Sequence, residues 1–205
     1  MAKMPLDDVT ILDVGQGIAP GYCTKLLASL GAHVLKIEPP TGDILRSAGP
    51  FPNDIPHPEH SGLFLYLNQG KQSATLDISK PMGRQLLMKM LQDTDVLIEN
   101  FSPGLLTSLS LGHETLREKA PQLVHCSLSW FGATGPYRDF QGCELVAYAL
   151  SGHLYLTGDP DKPPLKAGGY QSEYQAGISA ALAVMSALAY RDITGEGQYL
   201  DVSVI

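Results

Sequence analysis

Two stretches of this chain combine residue types and spacing suited to chemistry, and the first is rich in glycine. Gly15-Gln16-Gly17-Ile18-Ala19-Pro20 lies between an apolar run that reads as a strand and a stretch with helical spacing. Glycines at such a junction let the backbone approach a phosphate at a helix N-terminus. Glu38 closes the next strand-like run, which completes an approximate dinucleotide fingerprint. The third glycine position holds Pro20, followed by Gly21, and a proline there lacks the N–H that would bind phosphate. Three readings stay open: a tight strand-to-helix turn, a site for a phosphate-bearing ligand, and a nicotinamide dinucleotide site.

The second stretch places Glu173 at the start of a long helical run. A carboxylate there can act as a nucleophile, but the helix dipole alone favours an acid in the first turn by roughly 0.3–1 kcal/mol. His125-Cys126 suggests metal ligation, yet partners at ligand spacing are missing and the pair sits in a strand-like run, so no metal site is expected. Cys23, Cys126 and Cys143 are odd in number and widely spaced, which fits a reducing compartment, the cytosol by default.

The elements that must position these residues alternate along the chain. Residues 9–14, 33–37, 95–98, 123–128 and 199–204 read as strands; 22–30, 81–91, 105–109, 113–119, 144–150 and 172–190 read as helices. Gly31 stops the first helix, and Pro81 sits in the first turn of another. Residues 41–62 read as a loop, followed by a short apolar segment at 63–67. Strands alternating with helices predict an α/β fold with a parallel sheet covered on both sides. At 205 residues, 44% hydrophobic and 17% charged, the chain suits one well-buried domain. A net charge of -7 without a basic stripe argues against nucleic acid. Asp7 and Asp8 precede any apolar stretch, so no signal-peptide pattern is seen. The longest apolar run, 176–189, is Ala-rich and broken by Ser179 and Ser186, too weak and short for a membrane span.

Five ordered stretches resemble the class III CoA-transferases, the CaiB/BaiF-type family of carnitine-CoA and formyl-CoA transferases. They are Leu12-Asp13 through Leu30-Gly31-Ala32 to Glu38-Pro39-Pro40 with Gly42-Asp43 and Arg46; Leu67-Asn68 through Lys71 to Leu76-Asp77; Asp95 to Asn100-Phe101 with Pro103-Gly104; Gly132 through Gly135-Pro136-Tyr137; and Leu150-Ser151-Gly152 through to Thr194-Gly195, Gly197-Gln198 and Asp201-Val202-Ser203. Together they cover almost all 205 residues.

The resemblance implies a Rossmann-like N-terminal CoA-binding domain over residues 1–205, the family's small domain and C-terminal segment being absent. It also implies a dimer of interlocked chains or pairing with a complementary subunit. Such a chain is expected to be a fragment, a truncated product or one half of a split enzyme, lacking the family's Gly-rich loop. The implied partners are acyl-CoA and a carboxylic acid acceptor, with coenzyme A as substrate and no tightly bound cofactor. The family's catalytic Asp, in an Asp-x-x-x-Gly pattern, corresponds to Glu173 before Gly177. A glutamate can form the same anhydride and thioester, but its extra methylene displaces the carboxylate by roughly 1.5 Å, and a misplacement of about 1 Å can cost on the order of a hundredfold in rate.

For CoA, the resemblance points to Gln16, Ile18 and Ala19 in the turn, Arg46, Lys71 beside the nucleotide's phosphates, and Asn100 and Phe101 at a strand end. The bland alternatives are turn chemistry, a salt bridge for Arg46 and a solvated loop lysine for Lys71. The chain departs from the family at Gln72, Ser108, Gly142-Cys143-Glu144 and Ala19-Pro20-Gly21. A two-base α-methylacyl-CoA racemase would carry His where Cys143 stands, so that reading is disfavoured. The drifted positions keep open a non-catalytic half that supports a partner chain.

Overall fold

The computed structural model describes residues 3–205. Its strands are β1 (Thr10–Asp13), β2 (His33–Glu38), β3 (Gln72–Thr75), β4 (Val96–Glu99), β5 (Val124–Ser129) and β6 (Tyr199–Ser203). They form one open parallel sheet in the order β3-β2-β1-β4-β5-β6. The chain builds outward from β1 to β3, returns, and builds the other way from β4. Neighbours β1 and β4 therefore flank a topological switch point, where connecting segments diverge and leave a crevice at the strand C-termini.

Alternation along the strands sends side chains to two cores. Ile11, Ile98 and Cys126 face α1 (Ile18–Ser29) and α8 (Gln171–Thr194), meeting Cys23, Leu27, Ala180 and Val184. Leu12 and Leu97 face the opposite way, meeting Leu87 of α3 (Pro81–Met90), Leu106 of α4 (Leu105–Ser108) and Leu116 of α5 (His113–Lys119). Each such buried leucine or isoleucine contributes roughly 1.5–3 kcal/mol. The smaller elements are α2 (Gly62–Asn68), α6 (Glu144–Leu150) and α7 (His153–Leu156), with a 3-10 turn at Ile44–Ser47.

Beyond the short α7 and the 3-10 turn inside the expected loop, three elements differ from the sequence reading. β3 was not expected, because Gln72–Thr75 is polar and exposed throughout and carries no apolar alternation. It exists as an edge strand paired with β2. Helix α1 begins at Ile18 rather than 22: Pro20 falls in its first turn, where the missing N–H has no intrahelical acceptor to lose. Helix α8 runs on to Thr194, and by length and composition it could cross a membrane. Its Ala176, Ala180, Val184 and Leu188 are nonetheless buried in the core.

Candidate active site at the turn between β1 and α1

The turn after β1 is held from both sides. Asp13 Oδ1 accepts from the Gly15 N–H at 3.1 Å. Asn100, just past β4, accepts from the Gln16 N–H at 2.9 Å and donates to the Gln16 carbonyl at 2.7 Å. This two-way bond clips the turn to the end of β4 at the switch point. Gly17 then takes φ 84° as the N-cap of α1, a conformation that favours glycine, and Ile18 and Ala19 become the first helical residues. Their side chains are buried, so the turn presents backbone rather than side chains outward.

Glu173 meets that helix end. Helices α1 and α8 approach closely at Gly177, whose missing Cβ permits it: a Cβ there would lie 2.8 Å from the Ala19 carbonyl. Four residues earlier, the Glu173 carboxyl reaches the N-terminus of α1. Burial pushes it up, the neighbouring Glu144 carboxylate pushes it further, and the N–H groups of Ala19 and Ile18 pull it partly back; it settles at about 7. A carboxyl near neutrality is available in both protonation states at physiological pH. Glu144 has a second role as a cap from another element: its Oε1 accepts from the Ser172 N–H at 2.9 Å and its Oε2 from the Glu173 N–H at 3.3 Å. The start of α8 is thus fixed by α6, although its own N-cap, Tyr170, offers no side-chain acceptor.

Two of the expected site cations make bonds within the protein. The Lys71 side chain is 1% exposed. Its ammonium donates to Gly21 O and Asn68 Oδ1, both at 2.9 Å, and lies 3.4 Å from Asp13 Oδ2. Burial lowers its pKa to about 8 against the pull of Asp13. In this structure the Lys71 ammonium serves as a counter-charge to buried Asp13. Arg46 grips Glu38 with Nε and Nη2 at 2.6 and 2.8 Å, and Nη1 donates to Glu59 at 2.9 Å. Ser73 Oγ and the Asp43 N–H also donate to Glu38. Glu38 is saturated, which removes it as the ribose ligand that a nicotinamide dinucleotide site requires.

Asn100 spends its side chain on the turn, while Phe101 is half-buried against the second core. Both line a cleft of about 480 Å³ with Ser102, Trp130 and Arg138, at the C-terminal ends of β4 and β5. Phe101 and Arg138 also border a neighbouring cleft of about 590 Å³. Sequence reasoning missed Arg138, 41% exposed, whose Nε donates to the adjacent exposed Asp139 at 3.2 Å. It also treated Glu144 only as a departure from a motif. The readable signal was an acid at the first position of a helical run, though the helix it caps is a different one. Among the described residues, no three His, Cys, Asp or Glu side chains gather as a metal site, and all three cysteines are free.

Comparison with known proteins adds to this geometry. The profile of CoA-transferase family III matches residues 6–205. The chain belongs to that family. Among family III CoA-transferases, it is 38% identical over 203 residues to succinyl-CoA:mesaconate CoA-transferase of Haloarcula hispanica, covering 97% of this chain and 51% of that protein. It is 35% identical over 203 residues to the succinyl-CoA:glutarate CoA-transferase of Mus musculus, covering 98% and 45%. The crystal structure of a CAIB/BAIF family protein from Brucella suis superposes with a TM-score of 0.91 at 34% identity, over 98% of this chain and 53% of that one. The chain therefore spans about half the length of the curated family III relatives it matches.

Proposed function

We propose that this chain supplies the CoA-binding and nucleophile-bearing half of an enzyme that moves CoA between carboxylic acids, with Glu173 as the nucleophile. The observation that carries the reading is the placement of Glu173 in the first turn of α8, where that helix packs on the α1 N-terminus beside the switch-point crevice. The ionised carboxylate attacks the acyl-CoA carbonyl, expels CoA thiolate and forms a mixed anhydride. The thiolate attacks the glutamyl carbonyl of that anhydride, releasing the first acid and leaving a glutamyl-CoA thioester. The acceptor acid's carboxylate attacks this thioester, giving a second anhydride and thiolate. Attack of the thiolate on the acceptor's acyl carbon yields the new acyl-CoA and restores Glu173. Each step is an acyl transfer split by a covalent intermediate. The Ile18 and Ala19 N–H groups are suited to the negative charge that develops on the glutamyl carbonyl oxygen.

For CoA itself, we assign the cleft bordered by Asn100, Phe101 and Arg138, with the Gln16–Ala19 turn leading to Glu173. Arg138 supplies an exposed cation for phosphate in place of the inward-facing Lys71. Relatives named for succinyl-CoA, mesaconate and glutarate make short dicarboxylic acids the first substrates to try. A second copy or a complementary chain completes the enzyme: Leu182 and Ile193 of α8 are 65% and 86% exposed, more apolar surface than one helix of a finished core leaves to water. Three free thiols fit a reducing, cytoplasmic setting.

The same exposed surface favours a second reading, in which this half supports a catalytic partner without reacting itself. Intact-mass analysis after incubation with succinyl-CoA, glutaryl-CoA, acetyl-CoA and formyl-CoA separates the two. A hydroxylamine-sensitive mass gain matching CoA, lost in Glu173→Gln, is expected. A folded, CoA-binding chain that forms no adduct alone or with added partner chain would overturn the nucleophile assignment.

A further inference from the structure

Beneath the turn lies a buried cluster of charge that the chemistry above does not use. Lys36 stands in β2 with its side chain 1% exposed. Its ammonium donates to the Gly15 carbonyl at 2.8 Å. Asp43 Oδ2 lies 2.9 Å away as an ion pair, and Asp13 Oδ2 lies at 3.9 Å. Asp43 Oδ1 in turn accepts from the Leu45 N–H at 2.8 Å, opening the 3-10 turn at Ile44–Ser47. That turn packs back on the site: Leu45 joins Ile18 in a small core, and Ile44 lies under Gly17. Lys71 completes the arrangement on the other flank through Gly21 O. Two buried lysines therefore hold the carbonyls on either side of residues 16–20. Burying such charges costs several kcal/mol per ion unless partners compensate, so an apolar residue would serve the fold alone more cheaply.

We infer that Lys36 and Asp43 are positioning residues for Glu173, fixing the β1–α1 turn so that the Ile18 and Ala19 N–H groups stay aimed at its carboxyl. The inference rests on the proposed role of Glu173, but its test does not need turnover. The groups facing Glu173 are Glu144 from α6 and Tyr174 from its own helix, with Tyr22 of α1 and Tyr66 of α2 around Tyr174. Those facing Lys36 are Asp13, Asp43 and Glu38, with Lys71 also bound to Asp13.

The experiment is ¹³C NMR titration of the chain labelled at glutamate Cδ, the Glu173 resonance being assigned by its loss in Glu173→Gln. The deciding variant is Asp43→Asn, which keeps the size and the Leu45 acceptor. Simple electrostatics predicts that removing this negative charge lowers the Glu173 midpoint. Loss of positioning predicts a rise of about one pH unit, because the carboxylate loses its amide donors. Lys36→Met is expected to raise it as well. An unchanged or lowered midpoint in Asp43→Asn overturns the inference, whatever Lys36→Met does. A raised midpoint in a chain that forms no CoA adduct keeps the positioning role and removes the proposed chemistry.

Discussion

Glu173→Gln is expected to stabilise the fold above neutral pH while removing the proposed nucleophile. In the native state the carboxyl ionises at about 7, against 4.5 for an ordinary glutamate. That gap, at about 1.4 kcal/mol per pH unit, corresponds to roughly 3 kcal/mol. Part of the group reaches solvent, and screening trims this to about 2 kcal/mol. The sign follows from proton binding. Between 4.5 and about 7 the native chain holds a proton that the unfolded chain has released, so wild-type stability falls as pH rises through that window and the full cost is present above it. Glutamine does not titrate and can still accept from the Ile18 and Ala19 N–H groups. Urea unfolding of both chains at about pH 4 and about pH 8 should therefore give similar stabilities at the lower pH and a Gln variant about 2 kcal/mol more stable at the higher. Equal differences at both pH values would refute the strained-carboxyl reasoning and the argument for a poised nucleophile.

Removing the second carboxylate by Glu144→Gln should move the Glu173 midpoint down towards 4.5, read by the same NMR titration, and cost about 1 kcal/mol of stability, because one of the two acceptors at the start of α8 is lost. Gly177→Ala puts a methyl 2.8 Å from the Ala19 carbonyl, so helices α1 and α8 must part. A loss of about 1–3 kcal/mol in urea unfolding is expected, with a slower CoA adduct by intact mass. Arg46→Met strands the buried Glu38 carboxylate and should cost about 3–5 kcal/mol at neutral pH. Burial raises Glu38, but hydrogen bonds from Arg46, Ser73 and Asp43 outweigh it and hold the group at about 2. The penalty should therefore be full above 4.5 and shrink as pH falls towards 2, which unfolding across that range will show.

Much of the architecture was legible because it rests on local pattern. The apolar runs of β1, β4 and β5 and the helix punctuation at Gly31 and Pro81 announce alternating elements whatever their neighbours are. β3 was invisible because an exposed edge strand needs no apolar pattern, only the free edge of β2. The start of α1 was misplaced because Pro20 reads as a breaker unless one knows it sits in the first turn.

The sequence by itself determined which residues were available for chemistry: a glycine turn after the first strand, an acid ahead of a long Ala-rich helix, and the order of motifs that marks the family. Only the tertiary structure decided what each does. Lys71 and Arg46 are cations of similar local promise to Arg138, yet those two are buried against Asp13 and Glu38, whereas Arg138 borders a cleft with only the exposed Asp139 as its acidic partner. The Glu173 carboxyl is raised first by burial and then by Glu144 on another helix, while two N–H groups more than 150 residues upstream pull the other way. The physical reason is range. Helix and strand preferences act over a few residues, whereas desolvation and charge pairing depend on which distant segments the fold brings within a few ångströms.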